Sequence, residues 1–209
     1  MIAILDYDAG NIKSVEKALG YLGQEARITR DRDEILASEK VILPGVGSFG
    51  DAMGKLRDYK LEQVIYDVVE KKIPFLGICL GLQLLYESSD ETPGVTGLGL
   101  LKGTIKRIPE QPGLKIPHMG WNSLHIKKDA ALFQGIEDNS YVYFVHSYYL
   151  QAAEEEEVAA TTFYSTRIHA SVEKDNIFAC QFHPEKSSAV GLKILENFIA
   201  LESPLKEGC

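Results

Sequence analysis

Pro74-Phe75-Leu76-Gly77-Ile78-Cys79-Leu80-Gly81-Leu82-Gln83 is the stretch on which the reading of this chain turns. An apolar run enters a G-x-C-x-G sequence, and a helical pattern over Leu80–Ser88 follows at once. This is the cysteine form of the strand–turn–helix elbow that presents a nucleophile. Such a turn is sharp, so the nucleophile takes a strained backbone conformation and flanking glycines remove side chains that would collide there. The thiol then stands above a sheet edge at the amino end of a helix, where partial positive charge favours thiolate over thiol. Taken alone, the same residues also suit a buried cysteine among packing glycines.

Upstream, short apolar runs alternate with helical patterns. Met1–Leu5 reads as a strand within the compact apolar run Ile2–Tyr7, which Asp8-Ala9-Gly10 closes, and Asn11 can cap a helix over Ile12–Leu22 that Gly23 stops. Ala26–Ile28 and Val41–Leu43 read as strands, and Leu61–Lys71 as a helix with Leu61, Val64, Ile65, Val68 and Val69 on one side. Strand and helix in alternation imply parallel strands with crossover helices, an α/β core. Downstream the rhythm changes. Gly103–Ile108, Ser123–Ile126, Tyr141–Leu150, Val158–Tyr164, Ile168–Val172 and Ile177–Phe182 are strand candidates too closely spaced for crossovers, so an antiparallel or mixed extension is expected. Glu173–Asn176 would turn a hairpin, and Ala189–Leu201 a closing helix. The expectation is one domain over residues 1–202, with 203–209 a loose tail.

Composition narrows the function. The chain has 209 residues, 45% of them hydrophobic and 25% charged, as in ordinary globular proteins. A net charge of −8 without a Lys/Arg cluster argues against a nucleic-acid surface. No apolar run reaches membrane-spanning length and no leader pattern opens the chain, so a cytoplasmic protein is expected. Cys79, Cys180 and Cys209 are too scattered for a disulfide framework or a zinc site, and no metal or cofactor is expected. The run Glu154–Glu157 reads as a solvated turn.

A thiol nucleophile needs a base. His183 stands in Gln181-Phe182-His183-Pro184-Glu185, directly after an apolar strand, as Cys79 does. Pro184 biases His183 towards extended backbone, and residues two apart in an extended segment share a side. Glu185 is thereby placed to orient the imidazole while its other nitrogen faces the thiol. His125 and His169 read as surface or edge residues, and Cys180 as core. Attack on a carbonyl carbon also needs N–H donors for the developing oxyanion. Leu80, the residue after the nucleophile, offers one. The loop Pro44-Gly45-Val46-Gly47 follows a parallel strand at the same sheet edge, and Val46 is the candidate for the second. The loop lacks the following lysine and serine or threonine of a phosphate-binding loop.

These motifs together resemble the triad-type, class I glutamine amidotransferases. Gly10-Asn11-Ile12, Pro117-His118-Met119-Gly120-Trp121-Asn122, Phe144-Val145-His146-Ser147-Tyr148 and His183-Pro184-Glu185-Lys186-Ser187 are similar, more narrowly, to the glutaminase subunits that serve imidazole glycerol phosphate synthesis in histidine biosynthesis. The likeness runs from near the start to about residue 190. It implies hydrolysis of glutamine through a thioester on the cysteine. The ammonia passes to a barrel-shaped cyclase subunit that makes imidazole glycerol phosphate and an aminoimidazole carboxamide ribotide. It further implies that Gln83, Ser147 and Tyr148 hold the glutamine, that Gly47 lines its pocket, and that Asn11, Met119, Trp121, Tyr143 and Lys186 meet the cyclase in a heterodimer. Activity of the isolated subunit is expected to be poor, with the Pro44–Gly47 loop turning Val46 N–H into place on activation. Asp8-Ala9-Gly10 stands where many relatives carry a second glycine. The rivals are a glutaminase subunit of another pathway, such as anthranilate or aminodeoxychorismate synthesis, an inactive partner-binding scaffold, and a cysteine peptidase.

Overall fold

Every residue of the strand Ile2–Leu5 is buried, and its side chains alternate between two cores. Ala3 and Leu5 enter one apolar cluster; Ile2 and Ile4 enter the other. A strand apolar on both faces must lie inside a sheet covered on both sides. A computed structural model shows this arrangement, and it describes residues 1–127 and 129–202. The expected tail from Ser203, with Cys209, lies outside the described residues.

In chain order the elements are β1 (Ile2–Leu5), α1 (Ile12–Tyr21), β2 (Ala26–Thr29), α2 (Arg32–Leu36), β3 (Lys40–Leu43), α3 (Phe49–Asp58), α4 (Leu61–Glu70), β4 (Phe75–Ile78) and α5 (Leu80–Leu84). There follow β5 (Ser88–Ser89), β6 (Gly103–Arg107), β7 (His118–Ser123), β8 (His125–Ile126), β9 (Tyr141–His146), β10 (Tyr148–Ala152), β11 (Val158–Tyr164), β12 (Thr166–Lys174), β13 (Ile177–Cys180) and α6 (Ser188–Ala200). Among the described residues the main sheet runs β2-β1-β3-β4-β13-β12-β11-β8. Its pairs are parallel from β2 through β13 and antiparallel from β13 to β8, the expected parallel core with an antiparallel extension. Helices α2 to α5 cover one face, while α1 and α6 cover the other. The hairpin expected at Glu173–Asn176 joins β12 to β13.

Several elements differ from expectation. Helices α2 and α3 were not anticipated; in α3 the core positions Phe49, Ala52, Met53 and Leu56 are diluted by Gly50 and Gly54. The helix after Cys79 ends at Leu84, not Ser88, because a returning strand of chain takes its last carbonyls: Leu98 N–H donates to Leu84 O (2.8 Å) and Leu100 N–H to Leu85 O (2.9 Å). The run Tyr141–Leu150 is not one strand. It breaks at Ser147, where β9 pairs with β7 as a separate ribbon and β10 joins β6 and β5 in a small sheet. The strand expected at Ser123–Ile126 is present as the short β8 (His125–Ile126), and the ribbon strand β7 (His118–Ser123) just before it was not anticipated. In the acidic run, Glu157 is buried against Lys174 rather than solvated. His169 is buried too, its Nδ1 accepting from Ala152 N–H at 3.1 Å.

Candidate active site

Cys79 sits between β4 and α5 with φ 55° and ψ −108°, outside the regions L-residues favour. Neighbouring glycines make room for that turn. A Cβ on Gly81 would collide with the carbonyl oxygen of Leu43 on β3, and one on Gly77 would stand 2.8 Å from Gly81 O. The elbow is therefore clamped onto the sheet by two close backbone approaches. Strand β13 lies directly beside β4, with Cys180 opposite Ile78 and Cys79 N–H donating to Cys180 O at 2.8 Å. Continuing past β13, the chain delivers His183 into the cleft that holds Cys79.

His183 Nδ1 and Glu185 Oε1 are 2.8 Å apart, both side chains sealed from solvent. A carboxylate can only accept, so Nδ1 carries the proton and Nε2 is left to face the thiol. Nε2 has no hydrogen bond to any described residue. Burial works against a charged imidazole here, but the Cys79 sulfur and the Glu185 carboxylate outweigh it and raise the His183 pKa to about 9. The Glu185 contact arises differently from expectation. His183 is extended (φ −100°, ψ 98°), but Pro184–Lys186 forms a 3₁₀ turn that folds Glu185 back, with Lys186 N–H donating to His183 O at 3.0 Å. Asn11 also departs from its expected role. It occupies the cap position of α1 in a left-handed conformation, and its side chain makes no capping bond. Its amide instead donates to Glu185 Oε1 at 2.7 Å.

The cleft holds about 350 Å³ and is walled by Val46, Gly47, Gln83, Ser147 and Tyr148 around Cys79, so the residues expected to hold a substrate converge on the thiol. Gly47 adopts φ +103°, which lets the loop's backbone turn at the rim. The Leu80 N–H expected to face an oxyanion donates to Gly45 O at 3.3 Å. The Pro44–Gly47 loop thus covers the donor that the chemistry requires. Tyr7, buried at the end of β1, fixes the loop from below through a 2.6 Å bond from its hydroxyl to Pro44 O. Burial first, and then the nearby Cys79 sulfur, push the Tyr7 pKa up, so this hydroxyl stays a donor.

Met119 (62% exposed) and Trp121 (51%) project from β7, and Trp121 packs edge-on against Tyr143, its cross-strand partner on β9. Lys186 is exposed nearby in sequence to the triad. The ribbon is bonded to the triad loop: His183 N–H donates to Tyr143 O (3.0 Å), and Ser187 Oγ accepts from Tyr143 N–H (2.9 Å).

The chain has known relatives. The sequence matches the family described as Glutamine amidotransferase class-I over residues 3–201. The chain belongs to the class I glutamine amidotransferases. It is 49% identical over 201 residues to "Imidazole glycerol phosphate synthase subunit HisH" of Methanocaldococcus jannaschii, covering 96% of this chain and 100% of that one. It is 52% identical over 198 residues to the protein of that name from Caldanaerobacter subterraneus, covering 95% and 97%. Among solved structures, a "Crystal structure of glutamine amidotransferase" superposes with TM-score 0.73 at 21% identity over 95% of this chain and 99% of that one. "Structure of PurLQS from Thermotoga maritima" superposes with TM-score 0.72 at 22% identity, covering 95% and 96%, and shares the fold.

No role was read from the sequence for three residues that the structure places at or beside the cleft. Gln181 is fully buried and its Nε2 points at Cys79 Sγ across 3.7 Å. Its place two residues before His183, on the same side of an extended chain, was the available signal. Tyr7 is a polar aromatic at the carboxyl end of a parallel strand, where loops of a site gather. His146 lines the cleft, and its tie to His118 left no mark in sequence spacing. Among the described residues no grouping of His, Cys, Asp and Glu could hold a metal, and no helix is long and apolar enough to cross a membrane.

Proposed function

We propose that this chain is the glutaminase subunit of a cytoplasmic imidazole glycerol phosphate synthase. It hydrolyses glutamine to glutamate and ammonia and supplies the ammonia to a barrel-shaped cyclase subunit in histidine biosynthesis. One observation carries the chemistry: Glu185 holds His183 by Nδ1, so that Nε2 is unbonded in the cleft that holds the Cys79 thiol. His183 Nε2 takes the proton of the Cys79 thiol as the sulfur attacks the side-chain amide carbon of glutamine. His183 delivers a proton to the nitrogen as the C–N bond breaks, releasing ammonia and leaving a glutamyl thioester. His183 then takes a proton from water, whose oxygen attacks the thioester carbon, and returns it to sulfur as glutamate departs.

The loop over Leu80 explains why such a subunit rests nearly idle. An oxyanion donor is worth about 10²–10³ in rate, and here Leu80 N–H is spent on Gly45 O. Activation turns the loop so that Leu80 and Val46 N–H face the cleft. Met119, Trp121, Tyr143 and Lys186 meet the cyclase; the tie from Tyr143 to His183 and Ser187 links that contact to the triad. Gln83, Ser147 and Tyr148 hold the amino acid. Glutamate release measured with and without the purified cyclase and its ligand tests the reading: strong release with the complex, little from the subunit alone. Cys79→Ala abolishes release and still binds the cyclase; retained glutamate production by that variant overturns the mechanism.

A further inference from the structure

A chain of buried hydrogen bonds leads from the ribbon to the nucleophile. Resting on the glutaminase reading above, we propose that His118 is a positioning residue that fixes the glutamine-binding turn at Ser147-Tyr148 by locking His146 as its Nδ1–H tautomer. His118 is 3% exposed and His146 6%. His118 Nδ1 lies 2.9 Å from His146 Nε2, and His146 Nδ1 lies 2.8 Å from Tyr148 O.

The proton positions follow from the one member that cannot donate. A carbonyl only accepts, so His146 Nδ1 carries a hydrogen. In the neutral ring Nε2 is then a lone pair, and the hydrogen between the rings belongs to His118 Nδ1. His118 Nε2 in turn accepts from the Asn122 amide at 3.4 Å. At the far end Tyr148 O takes a second donor, Gln83 Nε2 at 3.1 Å. The same Gln83 nitrogen donates to Gln181 Oε1 at 3.0 Å, and Gln181 Nε2 reaches Cys79 Sγ. Every link has one donor and one acceptor, so both imidazoles remain neutral without an unsatisfied polar atom in the chain.

The Tyr148 carbonyl is where the expected substrate turn is pinned, and the pin comes from β7, the strand that also carries Met119 and Trp121. His118 is gripped between flat neighbours, with ring centroids 4.0 Å from Tyr164 and 4.8 Å from Phe144. The two stacked neighbours hold the plane of the ring, which aims Nδ1 at His146. Nothing in a purely structural role requires this proton arrangement, because a phenyl ring would fill the same slot.

That contrast defines the experiment, performed on the complex with the cyclase and its ligand. His118→Phe keeps the stacked ring and loses the donor. His118→Asn loses the stacking but places an amide N–H near the position of Nδ1. Positioning predicts that His118→Phe raises KM for glutamine about tenfold, the cost of an unpaired buried acceptor, while kcat changes less than threefold or so. His118→Asn then restores KM to within about threefold of the unsubstituted enzyme. The opposite ranking, with Phe tolerated and Asn impaired, overturns the proposal. Imidazole ¹⁵N NMR of the unsubstituted protein gives a test independent of variant folding: both rings neutral with hydrogen on Nδ1. An Nε2–H tautomer at either histidine also overturns it. An unsubstituted complex that releases no glutamate instead defeats the glutaminase reading.

Discussion

At Cys79 the strained backbone is held by what surrounds it, at a cost of about 1–3 kcal/mol. Gly81 is the tightest part of that hold, since any Cβ there meets Leu43 O. Gly81→Ala is expected to destabilise the fold by about 3 kcal/mol or more, read from denaturant unfolding. Glu185→Gln should keep the geometry but weaken the hold on the imidazolium, lowering kcat/KM for glutamine by about 10³-fold or more in the cyclase complex. Tyr7 makes a subtler prediction. Its bond to Pro44 O favours the covered state of Leu80 N–H, and one buried hydrogen bond is worth about 1 kcal/mol. Tyr7→Phe should therefore raise cyclase-independent glutamate release about fivefold; unchanged basal release would mean that the latch lies elsewhere. Asp8 shows how a left-handed backbone is held without glycine. It sits at φ 60°, which aspartate tolerates better than most residues, with its carboxylate held by Arg30 at 2.9 Å.

Among the elements, the β7–β9 ribbon turns Met119, Trp121 and Tyr141 outward without cover while its other face is buried. Trp121 is half exposed, so truncating it removes little from the core. Trp121→Ala should weaken cyclase binding about thirtyfold or more by calorimetric titration, as interface tryptophans do, with Tm nearly unchanged. The ribbon also marks where the sequence stopped being legible. The elbow, the His183 strand end and the parallel core could be read because their signals are local: glycines at fixed offsets, and apolar runs followed by turns. Tyr141–Leu150 looked like one strand because no glycine or proline stands at Ser147; the break is imposed by pairing with β7 on one side and β6 on the other. Asn11 looked like a helix cap, but its amide is drawn to a carboxylate at the far end of the sequence. Gln181 offers only its spacing from His183, and its reach to Cys79 depends on β13 lying beside β4. Each miss is a tertiary contact overriding a local preference.

For the molecule as a whole, four buried imidazoles give stability opposing slopes with pH, and burial lowers the pKa of His169 as it does those of His118 and His146. Burial lowers the pKa of His118 to about 4 and is the main cause lowering that of His146 to about 3, against an ordinary value of 6.5. Their contribution is complete above pH 6.5 and is lost as pH falls through those lower values. His183, raised to about 9, acts in the other direction: its contribution is complete below 6.5 and fades as pH climbs through 9. A Tm profile should accordingly fall on both sides, with His118→Asn flattening the acid limb and Glu185→Gln the alkaline one. Strand order adds a consequence in time. β13 slots between β4 and β12 although it is made long after β4. A ribosome that has already released the nucleophile has yet to synthesise its base, so a nascent chain carries an inert thiol beside an open sheet edge. Glutamine is safe from a half-made enzyme, and that open edge is the surface a chaperone would have to shield until the last strand arrives.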